Sequence, residues 1–162
     1  MKMEIRKYRD IDIPAMMKIW NDVIEEANAF PQTEKLSEEE AIKFFSHQTY
    51  TAVAVGENEI LGLYILHPNN IGRCGHIANA SYAVNKNFRG HNIGEKLVRH
   101  SLDKGRELNF SLMQFNAVVS TNKTAIYLYE KIGFSRLGVI PNGFLLGSGS
   151  YTDIILYYIS LK

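Results

Sequence analysis

The stretch that most limits what this chain can fold into is Tyr82–Arg99, Tyr-Ala-Val-Asn-Lys-Asn-Phe-Arg-Gly-His-Asn-Ile-Gly-Glu-Lys-Leu-Val-Arg. It opens as the end of a strand and closes as an amphipathic helix. Between them lies a turn carrying Arg89, Gly90, Asn92, Ile93 and Gly94. Gly90 lets backbone approach a ligand closely, and Asn92 is one of the few non-glycine residues that tolerate positive φ. The first N–H groups of a helix have no partner within it, and the helix dipole adds partial positive charge there. The result is an anion cradle suited to a diphosphate, with Arg89 as a forked cation beside it. Such a turn can also be a simple cap, but this one lies in the second half of a small α/β chain. It is not a dinucleotide-binding fingerprint, which needs three spaced glycines and a later acid. Nor is it a P-loop, because no Gly-Lys-Ser/Thr follows.

The rest of the chain reads as alternating elements. Met3–Tyr8 is a first strand. Asp12 is a candidate cap for a helix with Pro14 in its first turn, and Ile13, Met16, Met17, Trp20, Val23, Ile24 and Ala27 give that helix an apolar face. Trp20 and the methionines read as core. Glu25 and Glu26 end the helix before a loop, Asn28–Leu36. Ser37 and Glu40 form a capping box for a short helix carrying Ala41, Phe44 and Phe45. Thr49–Val55 and Ile60–Leu66 are strands joined at Gly56-Glu57-Asn58-Glu59. A polar loop, Pro68–Gly75, precedes the strand His76–Val84; Arg73 within it reads as surface. Ile93, Leu97, Val98, Leu102 and Leu108 form the next buried stripe. Leu112–Val119 reads as a strand buried on both faces. Thr121 or Asn122 caps a further helix that stops at Gly133. Phe134–Ile140 and Tyr151–Ser160 are the last strands, joined by the loop Pro141–Ser150. This order predicts an α/β (α+β) fold, a mixed sheet covered by helices. No composition shift divides the 162 residues, so 1–162 reads as a single domain.

Charge narrows the partners. A net charge of +1 favours neither nucleic acid nor a membrane surface over a small molecule. No run approaches the ~18 apolar residues of a membrane span. Cys74 is the only cysteine, which excludes an intramolecular disulfide and fits a cytoplasmic setting. The charged start, Met1–Arg9, lacks a hydrophobic signal core.

Two motifs carry a resemblance. Arg89, Asn92 and Gly94 are similar to the Arg/Gln-x-x-Gly-x-Gly/Ala signature of the GCN5-related N-acetyltransferases, with Asn92 in place of the middle glycine. Asn122–Phe134, Asn-Lys-Thr-Ala-Ile-Tyr-Leu-Tyr-Glu-Lys-Ile-Gly-Phe, resembles that family's Asn-x-x-Ala-x-x-Leu-Tyr-x-x-x-Gly-Phe at every fixed position. An amphipathic helix with a glycine stop accounts for Ala125, Leu128 and Ile132. It does not account for Asn122, or for Tyr129, whose hydroxyl needs a partner if buried. The element order matches across essentially the whole chain.

The resemblance implies a GNAT-like, mostly antiparallel central sheet flanked by helices, and acetyl transfer from acetyl-coenzyme A to an amine. It implies cofactor contacts from Tyr82, Val84, Arg89, Gly90, Asn92, Ile93, Gly94 and Asn122. Tyr82 and Val84 would act through backbone on the pantetheine arm, and the Val84 N–H on the thioester carbonyl. Tyr129 would be the catalytic acid for the departing thiolate. Some members carry a Glu base where this chain has Asn79, which takes no proton at neutral pH. Water, His76 or Glu25 are then the candidate proton acceptors. No metal is implied, and a homodimer is compatible with the resemblance.

His-Ile-Ala-Asn-Ala at 76–80, Phe-Asn-Ala-Val at 115–118 and Asn122 are similar to a narrower fungal branch acting on proline analogues such as azetidine-2-carboxylate. There, two strand asparagines lie at the acceptor site; Asn79 and Asn116 stand in those places, and the loop Pro141–Gly149 would close the acceptor side. The expected function is N-acetylation of a small amine or amino acid. The alternatives are a protein or peptide N-acetyltransferase, and a non-catalytic CoA-binding module.

Overall fold

The computed structural model describes the whole chain, Met1–Lys162. Strand β1 (Glu4–Lys7) leads through a short turn of 3-10 helix, Asp10–Asp12, into α1 (Ile13–Glu26) and α2 (Glu38–Ser46). The hairpin β2 (Tyr50–Gly56) and β3 (Glu59–Pro68) precedes β4 (Ile77–Val84), α3 (Ile93–Glu107), β5 (Leu112–Val119) and α4 (Lys123–Ile132). A final hairpin, β6 (Ser135–Leu145) and β7 (Tyr151–Ser160), closes the chain. One seven-stranded sheet runs β1-β2-β3-β4-β5-β7-β6. Every neighbouring pair is antiparallel except β4 and β5. No helix is long and apolar enough to cross a membrane.

The helices cover opposite faces. Trp20 of α1 packs on Phe30, Phe44 and Phe45 at ring distances of 4.4, 5.3 and 6.0 Å, over Val53, Leu63, Ile65 and Ala83 of the sheet. On the other face, Ile93, Leu97, Val98 and Leu102 of α3 and Ile126 of α4 pack over Tyr64, Ala80, Phe115 and Tyr157. Each fully buried side chain of this size contributes ~1.5–3 kcal/mol of transfer free energy, so the two apolar layers set the sheet between the helices. The Ser37–Glu40 capping box forms in both directions. Glu57 and Asn58 both take positive φ, which matches the tight β2–β3 turn to strand twist.

Two expectations change. Asp12 does not cap α1 with its side chain. It is buried and accepts from the Arg6 guanidinium at 2.7 and 3.2 Å and from the Arg9 N–H at 2.8 Å, tying β1 to the start of α1. The segment Pro141–Leu145, expected as loop, belongs to β6. A register shift between Ile140 and Phe144 absorbs Pro141, Asn142 and Gly143, so the ladder resumes at Phe144↔Thr152. Pro141 lacks a ladder donor, which an edge strand tolerates.

Burial pushes the Asp12 carboxyl up, but the hydrogen bonds from Arg6 and Arg9 outweigh it and leave its pKa below the usual value. Its contribution is therefore present above the unfolded carboxylate pKa, ~3.9, and is lost as pH falls through the lower folded value. Asp12→Asn should cost about 2 kcal/mol at pH 7, a melting shift of roughly 4–8 °C. Thermal denaturation at several pH values checks this: the gap from wild type should shrink below pH 4, and a pH-independent gap would contradict it.

Candidate active site

The sheet opens between β4 and β5. These strands pair only at Ile77↔Leu112 and Ala78↔Met113, then part. Two backbone bonds fix which way β4 points beyond that place. Asn85 N–H donates to Leu61 on the β3 side, and the His76 carbonyl accepts from Ser111 on the β5 side. Strand alternation then turns the N–H and C=O groups of Ala80, Tyr82 and Val84 toward the gap that β5 has left. An open strand edge of this kind pairs with an extended chain bearing amides.

A cavity of about 220 Å³ passes through the fork. Phe30 and Pro31 wall it on the α1 side, and Ala125 and Tyr129 on the α4 side. Asn79, Ser81, Asn116 and Asn122 supply its polar lining. The wall Ala29–Pro31 follows Ala27, whose φ of 54° ends α1 in the left-handed region. It is pinned by Phe30 on Trp20 and by Asn21, which accepts from the Leu36 N–H and donates to its carbonyl. The Gly147 N–H donates to the Ala27 carbonyl at 3.0 Å. The 141–149 segment therefore braces the end of α1, and Ala29–Pro31, rather than it, forms the wall.

Beside the fork, Gly90 has φ +88° and Asn92 φ +60°, both left-handed, so the chain curls before α3 begins at Ile93. The first intrahelical bond is from Lys96 N–H to the Asn92 carbonyl, which leaves the N–H groups of Ile93, Gly94 and Glu95 for a ligand. Arg89 lies at this turn and pairs with Glu26 of α1 at 2.6 Å. The pair is exposed, and such pairs are worth ~0–1 kcal/mol, so Arg89 can exchange Glu26 for another anion at little cost. Glu95 in the first turn of α3 is bonded by Lys131 and by Arg99, each at 3.0 Å, which hold its carboxyl below the usual range and offset its charge.

Tyr129 lines the cavity, its ring 4.6 Å from Phe115 and 5.5 Å from Phe134. Its hydroxyl has no hydrogen-bond partner in the protein, and it is not sealed from solvent. Burial pushes the phenol well above its ordinary value, so it stays protonated throughout neutral pH. Tyr82, by contrast, turns its ring into the α3 face, and its hydroxyl meets Ser101 Oγ at 2.7 Å; only its backbone is left for a ligand. Asn122, which lines the cavity, uses its side-chain oxygen to cap α4 through the Ala125 N–H and leaves its NH₂ without a partner in the protein.

The two strand asparagines meet through a third. Asn69 Oδ1, at the end of β3, accepts from Asn79 Nδ2 at 3.1 Å and from Asn116 Nδ2 at 2.7 Å. Asn116 Oδ1 accepts from Gln114 Nε2 at 3.0 Å. Between Phe115 and Val118 the register with β7 shifts by one residue, a bulge that re-aims Asn116 and Ala117. Neither His76 nor Glu25 lines the cavity; His76 is exposed ahead of β4, and Glu25 pairs with Lys35 at 3.1 Å. No Asp, Glu, His or Lys lies among the lining residues. The cavity thus offers hydrogen-bond donors, amide oxygens and one protonated phenol, and no base.

The model of the acetyltransferase (GNAT) family matches residues 14–134. The N-acetyltransferase aca1 of Schizosaccharomyces pombe is 34% identical over 108 residues, which are 66% of this chain and 52% of that protein. The matched stretch thus spans about half of that relative's length. Among solved structures, a GCN5-related N-acetyltransferase from Kribbella flavida superposes with a TM-score of 0.90 at 27% identity, covering 98% of this chain and 97% of the other. A phosphinothricin acetyltransferase from Sinorhizobium meliloti, solved in complex with AcCoA, shares the fold with a TM-score of 0.91 at 19% identity, over 99% and 89% of the two chains. Most of the sequence matches the family model and the whole sheet matches the family's structures, so this chain belongs to the GNAT family of acetyltransferases.

Proposed function

We propose that the protein is an acetyl-CoA-dependent N-acetyltransferase whose acceptor is a small amine or amino acid. The observation that carries the reading is the open β4 edge, whose Ala80 and Tyr82 share one cavity with Tyr129 and which runs on in sequence to the free N–H groups at Ile93–Glu95. The Arg89 guanidinium and the N–H groups that follow Asn92 hold a diphosphate. Tyr82 and Val84 pair their backbone with the pantetheine amides, and Asn122 supports the same arm with its NH₂. Acetyl-CoA, when bound, supplies the acetyl thioester. The Val84 N–H donates to the thioester carbonyl, where charge develops. The C–N bond forms as the C–S bond breaks; the amine gives its proton to water, and Tyr129 donates its own to the departing sulfur and regains one from solvent.

Asn79 and Asn116 stand on the acceptor side, within a lining that carries no charge. A neutral amide pair recognises the amine and carboxylate of a small amino acid by donating to one and accepting from the other. Resemblance to the proline-analogue branch supports the same reading. A peptide acceptor is the second reading, and the fixed wall at Ala29–Pro31 favours the smaller one. Steady-state kinetics on Asn79→Ala and Asn116→Ala test it. Each loss should raise the acceptor KM about tenfold, the scale of one unpaired polar group, with the acetyl-CoA KM near wild type. Equal loss for both substrates, with a lower melting temperature, would contradict the acceptor role.

A further inference from the structure

We propose that Asn69, which does not line the cavity, is the positioning residue of the acceptor site. The inference rests on the small-amine reading above. Asn69 sits where β4 and β5 part: Asn79 is the first β4 residue beyond the last paired position, Ala78↔Met113, and Asn116 lies on the bulge of β5. One Asn69 oxygen accepts an N–H from each strand's asparagine. Its own backbone is fixed, because its N–H donates to the Ile77 carbonyl at 2.7 Å.

The donor count then decides what the cleft presents. An asparagine amide can turn over and exchange its oxygen and nitrogen. Here one N–H of Asn79 is bonded to Asn69, which fixes the amide orientation and keeps its oxygen, which has no partner in the protein, on the side away from that bond. Asn116 is bonded at both ends, one N–H to Asn69 and its oxygen to Gln114, which fixes its amide orientation and leaves its second N–H to donate. Asn69 thus sets the polarity of the site: it turns an acceptor oxygen toward an incoming N–H. With no base in the lining, the Asn79 oxygen orients the amine, and water takes the proton that nitrogen loses as the C–N bond forms.

The sequence hid this residue because it lies in a polar loop, outside both family motifs. What reveals it is the convergence of two amides on a single oxygen.

The test compares Asn69→Leu, Asn69→Asp, Asn79→Ala and the double variant Asn69→Leu/Asn79→Ala. Kinetics with acetyl-CoA and small amines, acceptor affinity by calorimetry, and melting temperatures are measured on each. Asn69→Leu removes the shared oxygen at similar volume. It should raise the acceptor KM and Kd about tenfold, leave the acetyl-CoA KM within twofold, and move the melting temperature by no more than ~2 °C, as for a half-exposed substitution. The double variant should be no worse than the poorer single one, because both act through one amide. Asn69→Asp keeps the accepting oxygens; with an acceptor lacking a carboxylate it should stay within threefold of wild type. Independent, multiplying effects in the double variant, or equal losses for both substrates with a lower melting temperature, would overturn the positioning role. So would wild-type kinetics in Asn69→Leu. A wild-type enzyme that ignores small amines and acetylates peptides would instead overturn the acceptor reading itself, and this inference with it.

Discussion

Gly94→Glu is expected to weaken acetyl-CoA binding by about two orders of magnitude while the protein stays folded. A Cβ at Gly94 would meet only Leu128 Cδ2 at 3.8 Å and Val84 Cγ2 at 3.9 Å, which are ordinary contacts. Gly94→Ala should therefore fold and bind nearly as wild type, and it is the control for shape. Glu adds length and a charge at the helix N-terminus where the diphosphate is proposed to lie. A carboxylate ~5 Å from one phosphate charge at an effective dielectric of ~20 costs about 3 kcal/mol, roughly a hundredfold. Calorimetric titration with CoA checks both variants. Unchanged affinity in a folded Gly94→Glu would move the diphosphate away from this turn.

Tyr129→Phe is expected to lower turnover by about 10²-fold, the usual scale for a general acid. Because the hydroxyl has no partner in the protein, its removal strands no polar group. The Phe115 and Phe134 contacts hold the ring, so melting temperature and CoA affinity should not move. The pH dependence follows from the same geometry. The raised phenol stays protonated past neutrality, so it imposes no falling limb between pH 6 and 9. The cavity holds no base, so kcat/KM for the acceptor should rise with pH as the amine itself loses its proton. A variant with wild-type turnover, measured where chemistry limits the rate, would clear Tyr129; a bell-shaped profile centred near pH 7 would point to an enzyme base instead.

The sequence carries the parts of this fold that local rules decide. Glycine and asparagine at 90–94 mark the cradle because few residues accept left-handed backbone, and Gly90 and Asn92 do adopt it. Leu112–Val119 is a strand with the bounds expected, but it is not buried on both faces: Met113, Phe115, Val118 and Val119 are buried, while Gln114 and Asn116 lie on the face left open where β4 and β5 part. The β6 boundary is harder: Pro141, Asn142 and Gly143 spell a loop locally, yet pairing with β7 carries the strand through them as a bulge. Asp12 carries the signature of a helix cap, but Arg6 on β1 claims its side chain. Long-range partners of that kind leave no periodic trace.

The site divides along the same line. Tyr129, Asn79, Asn116 and Asn122 are brought to one cavity, as the motifs imply. Arg89 is at the turn but holds Glu26, a partner 63 residues away in sequence. His76 and Glu25 are suitable bases by chemistry alone, but neither lines the cavity. Asn69, Asn21 and the wall Ala29–Pro31 carry no motif; their roles exist only once β4 and β5 have parted and α1 has ended.

The most direct test is release of free CoA thiol from acetyl-CoA by the wild-type protein across a panel of acceptors. The panel holds small secondary amines and amino acids, including a cyclic imino acid, larger polyamines, and peptides with free N-termini or lysines. The account predicts thiol release that depends on a small amine or amino acid, with the N-acetyl product confirmed by mass. Release with peptides alone, or CoA binding with no release for any acceptor, would contradict it.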